Sequence, residues 1–130
     1  MAVNVGNTPL PGYPMPFGEK YAMEFDHSGP SSYTQFVSPS TGGDITTAIS
    51  VGMGGFDDID AAGGVDTTGQ IACYAIKNFG GNGNAVPSVI LIYYSLVTAS
   101  LGGQAQTANT QIVATTNLST FSWRLSATMV

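Results

Sequence analysis

Charge is the scarcest property of this chain. Only 8% of its 130 residues are charged, against about 25% in an ordinary soluble domain. Lys20, Lys77 and Arg124 are the only lysines and arginines, set against eight carboxylates for a formal net charge of -5. Binding a phosphate backbone requires several cations gathered in one patch, so three scattered ones exclude nucleic acid as a partner. Without a polybasic stretch, an anionic membrane surface is excluded as well. Glu, Lys and Arg, the usual surface residues of a helical bundle, number five in all, which argues against that architecture.

Cysteine is nearly absent too. Cys73 is the single one, so no intrachain disulfide can form. It lies in the apolar run Gln70-Ile-Ala-Cys-Tyr-Ala-Ile76 and reads as a small buried hydrophobe. A nucleophilic thiol would need a cation or histidine beside it, and the only histidine is far away in sequence. Long hydrophobic runs are missing: Val89 to Val97 is the longest, about half of the ~20 residues a membrane-spanning helix needs. The N-terminal stretch has no basic start and is broken by Pro9, Pro11, Pro14 and Pro16, unlike a signal peptide. The expectation is a soluble protein made in a reducing cytoplasm.

What the chain does have is apolar and β-branched residues. Hydrophobic residues make up 43%, and Val, Ile and Thr together number 32, with 17 glycines. That is too apolar and too weakly charged for a disordered chain, and the length fits one domain. Residues 1–18 carry no charge and four of the seven prolines. They read as an extended arm lying along another surface, of its own domain or of a neighbour. Residues 19–130 form the domain.

There the pattern is of short strands and turns. Lys20 to Asp26 alternates, with Tyr21, Met23 and Phe25 on one side. His27 to Ser32 reads as a turn, Tyr33 to Val37 as a strand, and Ser38 to Gly43 as another turn. Ile45 to Val51 fits either a strand or a short helical turn. Phe56–Asp60, Gln70–Asn78, Ser88–Ala99 and Thr110–Thr115 read as strands, with Phe79–Asn84 as a loop and Leu101–Gln106 as a turn. Ser88 to Ala99 is apolar enough to be buried on both faces. In the closing strand Phe121, Trp123, Leu125, Ala127 and Met129 share one face, and Ser122, Arg124, Ser126 and Thr128 the other. About eight short strands at this spacing predict an all-β, antiparallel sandwich of jelly-roll type.

No motif points decisively to catalysis. Asp26-His27-Ser28 holds the residue types of a triad, but consecutive side chains on an extended chain point apart, so His27 reads as a turn or rim residue. Asp57, Asp58, Asp60 and Asp66 lack the spacing of a calcium loop and read as a solvated rim. The glycine-rich loop after Asn78 has neither the lysine nor the helix of a phosphate loop. Tyr74, Tyr93, Tyr94 and Trp123 raise sugar stacking, although Tyr93 and Tyr94 face opposite sides of one strand; core and interface packing is the competing use. Residues 78–130 contain one charged side chain, Arg124. Because interface centres are depleted of charge, this half is expected to be largely covered by an oligomer or a larger lattice.

Three segments, in order, resemble the small cement, decoration or head-fibre proteins of tailed bacteriophages. Ser38-Pro-Ser-Thr-Gly-Gly-Asp44 is similar to a Pro-Thr-Gly-Gly-acidic turn of that group. Val51-Gly-Met-Gly-Gly-Phe-Asp-Asp-Ile-Asp60 is similar to an acidic-apolar strand. Ala114-Thr-Thr-Asn-Leu-Ser-Thr-Phe-Ser-Trp-Arg-Leu125 is similar to a closing strand in which Asp stands at the place of Asn117. The resemblance implies an all-β protein bound in many copies to the outside of a phage head, clamping capsomers, and often a trimer. The major capsid protein would be its partner, the virion its location, and neither cofactor nor metal would be needed. Leu10, Tyr13, Met15 and Phe17 are the candidate contacts to the shell, and Tyr94, Trp123 and Arg124 the candidates for subunit packing. Two other readings stay open: a tail, collar or fibre-base protein, and a carbohydrate-binding sandwich module.

Overall fold

The computed structural model describes residues 6–13, 15–17, 20–37, 42–47, 56–60, 64–78 and 88–129. The expected loop at Phe79–Asn84 and the segment 48–55 lie outside these residues. The described residues contain strands and turns and no helix. The strands, in chain order, are β1 (Asn7–Pro9), β2 (Met15–Phe17), β3 (Lys20–Ser28), β4 (Asp44–Thr47), β5 (Phe56–Asp60), β6 (Gly64–Val65), β7 (Ile71–Asn78), β8 (Ser88–Ser95), β9 (Ala99–Leu101), β10 (Gln104–Gln106), β11 (Thr110–Gln111) and β12 (Ser122–Met129).

They form two five-stranded sheets, both antiparallel throughout, and a β9–β10 hairpin. In the first sheet β12 lies between β3 and β5, while β1 and β2 both pair with β3. In the second, β8 lies between β7 and the two short strands β4 and β11, and β6 extends the other edge of β7. The sheets stack as a sandwich over one core. Met23, Phe25, Trp123 and Leu125 come from the first sheet, and Ile71, Cys73, Val89, Leu91 and Tyr93 from the second. Alternation dictates this arrangement. Leu125 pairs with Phe25 and Ala127 with Met23, so the two apolar stripes align across β12 and β3.

The arm segment, where described, folds back onto its own domain. Asn7, Thr8 and Pro9 pair with His27, Asp26 and Phe25, and Met15 to Phe17 pair with Ala22 to Lys20. Three local expectations need correction. β3 runs through His27 and Ser28 instead of turning there. Tyr33–Val37 is not a strand: Tyr33 N–H donates to Thr116 O in a loop, and Phe36 N–H donates to the side chain of Gln111 on β11 rather than to a strand backbone. The strand expected over Thr110–Thr115 stops after Gln111, because Thr116 N–H closes a turn onto Val113 O and Thr115 takes a φ of 69°.

Candidate functional site

Two features have the makings of a site: a polar cluster sealed between the sheets, and an apolar face outside the second sheet. The cluster is centred on Tyr93. Its hydroxyl donates to Asp44 Oδ2 at 2.5 Å, and His27 Nε2 meets the same oxygen at 2.8 Å and the Tyr93 hydroxyl at 3.0 Å. The other imidazole nitrogen, Nδ1, lies 2.6 Å from Asn7 Oδ1. His27 and Tyr93 are wholly buried and Asp44 nearly so. Around them, the Tyr93 ring packs 4.6 Å from Trp123 and edge-on to Tyr33 at 5.5 Å, measured between centroids.

Each member is delivered by a different strand. His27 continues the inward stripe of Met23 and Phe25 on β3. Asp44 opens β4, straight after Gly42 and Gly43, whose φ values are 83° and 79°. A Cβ on Gly43 would lie 2.3 Å from Ile90 Cγ2, so only glycine permits this entry. Burial pushes the Tyr93 phenol well above its usual range, and the Asp44 carboxylate adds to the effect. Burial likewise raises the Tyr33 phenol and the Cys73 thiol, which leaves Cys73 an inert packing group. The cluster therefore ties strands of both sheets, and the N-terminal β1, to one buried centre.

A second buried carboxylate organises a turn. Asp66, expected on a solvated rim, is 4% exposed. It accepts from the backbone N–H groups of Thr68, Gln70 and Ile71 and from the Thr68 hydroxyl. Burial acts to raise its pKa, but those hydrogen bonds together outweigh it and hold the carboxyl below its usual 3.8.

The outer faces of the two sheets differ in kind. On the first, Glu24, Asp26 and Arg124 are partly or fully exposed, and Arg124 Nε donates to Asp26 Oδ1 at 3.1 Å. On the second, β7 contributes Ala72, Tyr74 and Ile76, and β8 contributes Ile90, Ile92 and Tyr94, registered side by side. Ile45, Ile90 and Ile92 are buried on this face, with Phe36 and Tyr94 packed against them, so the exposed apolar surface is confined to Tyr74, Ile76 and the residues beside them. Tyr74 and Tyr94 meet edge to face at 5.4 Å. Between them and Leu96 runs a shallow groove of about 500 Å³. Among the described residues this face carries no charged side chain.

The sequence-derived contacts fall in different places. Leu10 is half-buried, its N–H donating to Glu24 O. Tyr13 packs against the core edge, where hydrogen bonding to Glu24 raises its phenol above 10.0. Met15 is exposed on β2, and Phe17 ends that strand opposite Lys20. Tyr94 lies on the apolar outer face. Arg124 lies on the charged one. Trp123 requires correction: it is 1% exposed, and its indole N–H donates to Ile71 O at 3.0 Å, so it is a core residue with no surface to offer a subunit. His27 and Asp44 escaped sequence reasoning as a pair, although the parity of Met23, Phe25 and His27 pointed inward.

The fold and its surfaces define an all-β antiparallel domain with one charged sheet face and one that, among the described residues, is uncharged. Comparison with family models, curated proteins and solved structures returned no match.

Proposed function

We propose that the chain is a virion structural protein: a cement or decoration protein that sits in many copies on the outside of a tailed-phage head, against the major capsid protein, and stabilises capsomer contacts. The observation that carries the reading is the segregation of charge. A domain that exposes Glu24, Asp26 and Arg124 on one sheet face and, among the described residues, no charged side chain on the outer face of the other is suited to lying on something. The sealed cluster at Tyr93 supports it as well, because a rigid binder needs its sheets locked rather than an open reactive pocket.

In this reading the domain is a jelly-roll-like sandwich, and its N-terminal segment forms the arm that meets the shell through Leu10, Tyr13, Met15 and Phe17. Subunits assemble as an oligomer, a trimer by the resemblance, with Tyr94 at the packing face. Repeated weak contacts across a shell then act together as a durable clamp. Sugar binding is less well supported: Trp123 is buried and the Tyr74 and Tyr94 rings stand at 90°, so they offer no coplanar platform. Quantitative mass spectrometry of purified particles, referenced to the major capsid protein, tests the proposal. Hundreds of copies per particle are expected. A handful would move the protein to the tail or collar, and absence from particles would overturn the reading.

A further inference from the structure

We infer that His27 is a proton-held latch for the N-terminal strand: its imidazole, protonated on both nitrogens, clamps Asn7 and releases β1 when it becomes neutral. The acceptors around the ring demand both protons. Nε2 lies 2.8 Å from Asp44 Oδ2 and 3.0 Å from the Tyr93 oxygen, while Nδ1 lies 2.6 Å from Asn7 Oδ1. The Tyr93 hydroxyl gives its own hydrogen to Asp44, so oxygen acceptors face the ring at both nitrogens. A neutral imidazole owns one N–H and serves one side, whereas the imidazolium owns two and serves both. The Asp44 carboxylate supplies the countercharge in a site where His27 is wholly buried and Asp44 nearly so.

The groups packed around this pair leave the imidazole as the one that titrates. Tyr93 comes from β8, with Tyr33 and, on β7, Cys73 beyond it, and burial holds the protons on all three. β12 sets Trp123 opposite His27, while Arg124 faces outward with Asp26 and Glu24. β1 brings Asn7, Thr8 and Pro9, none of them ionisable. The contacts at the ring do not break together. On losing one proton the ring keeps the other on Nε2, against the carboxylate, and Nδ1 turns a lone pair toward the Asn7 oxygen. Asp44 and Tyr93 are held inside the sandwich, whereas β1 is a three-residue edge strand with Thr8 and Pro9 exposed and Pro9 lacking an N–H. β1 therefore yields first. The latch holds in acid and loosens as pH rises through the His27 titration, the sign required when the closed form binds the extra proton.

The latch belongs to the free chain and does not depend on attachment to a shell. NMR of the purified full chain from about pH 5.5 to about pH 9 tests it, a range that spans the ordinary histidine titration. His27 is the only histidine, so long-range proton–nitrogen correlations read its ring protons directly. Both nitrogens are expected to be protonated at the acid end. As one proton leaves, exchange protection of the Ser28 and Leu10 amides, which bond Gly6 O and Glu24 O, is expected to fall. The fall is at least about tenfold beyond the intrinsic rise of exchange with pH. Protection along β12 is expected to hold. Asn7→Ala is expected to stay folded by Trp123 fluorescence, with the Ser28 and Leu10 protection already lost in acid. Asn7→Asp sets a second carboxylate against Nδ1 and is expected to carry the release to higher pH. A ring with a single proton throughout, or with both still in place at the alkaline end, would overturn the inference. An Asn7→Ala chain with the wild-type response, or loss of β12 protection together with that of β1, would do the same. So would constant β1 protection while the ring titrates, since Asn7 would then have turned its amide N–H to the bare nitrogen.

Discussion

Replacing Asp44 by alanine is the sharpest perturbation the structure offers. The carboxylate is the shared acceptor for the Tyr93 hydroxyl and His27 Nε2, at 2.5 and 2.8 Å. Asp44→Ala removes it from a site that water does not reach. Taking the acceptor from a buried polar group costs about 1–3 kcal/mol, and here two groups lose it, the Tyr93 hydroxyl and His27 Nε2. The expected loss is therefore about 4 kcal/mol, a large part of the roughly 5–15 kcal/mol that holds a domain together. For a chain of this length, that corresponds to a fall in Tm of about 12–16 °C.

Urea unfolding reads the effect directly, because Trp123 is the only tryptophan and sits buried against the Tyr93 ring, so its fluorescence reports the same centre. Asp44→Asn keeps one acceptor oxygen and is expected to lose about half as much. His27→Leu combined with Asp44→Leu removes donor and acceptor together, so it is expected to be less destabilised than the sum of the two single changes. A loss under 1 kcal/mol for Asp44→Ala, with an unchanged urea slope, would refute the view that the cluster locks the sheets.

Other changes test other parts of the fold. The Asp66 carboxyl is held below its usual 3.8, so its contribution is complete above that pH and fades as pH falls through the lower folded-state value. Asp66→Asn should cost about 2 kcal/mol at neutral pH, and the gap to wild type should close in acid; urea midpoints that differ equally at every pH would contradict this. Gly43→Ala places a Cβ against Ile90 at a positive φ and should destabilise by roughly 2–4 kcal/mol, measured by calorimetry. The hydroxyl of Thr46 is buried without a hydrogen-bond partner among the described residues, so Thr46→Val should be neutral or stabilise by about 1 kcal/mol. A clear loss on thermal melting would mean that the hydroxyl is engaged.

Much of the sandwich was legible because burial imposes period two on a strand. The stripe Met23–Phe25 and the stripe Phe121–Trp123–Leu125 could each be read alone, and both prove to line the core. That Trp123 belonged to such a stripe already favoured the core over a subunit contact. Asp66-Thr-Thr-Gly69 is an Asx-type turn signal, with Gly69 at a φ of 76°, and it was readable in principle.

The polar cluster was not legible in the same way. Its members are 17 and 66 residues apart along the chain, and the Ser-Gly-Pro after His27 mimics a turn. Tyr33–Val37 has strand composition, but its partners are Thr116 and Gln111, contacts that only the folded chain creates. The apolar outer face was half visible. Ser88–Ala99 read as buried on both sides, yet that Tyr74 and Ile76 extend the same surface depends on the β7–β8 register.

The claim that this chain clamps a phage head is tested most directly by adding it back to particles that lack it. On the proposed reading, purified protein mixed with phage heads made without the gene should bind in hundreds of copies and raise the temperature at which the shells rupture. Met15→Asp, altering an exposed arm residue, should bind less without loss of fold. Heads that take up none of the protein and rupture at an unchanged temperature would contradict the account.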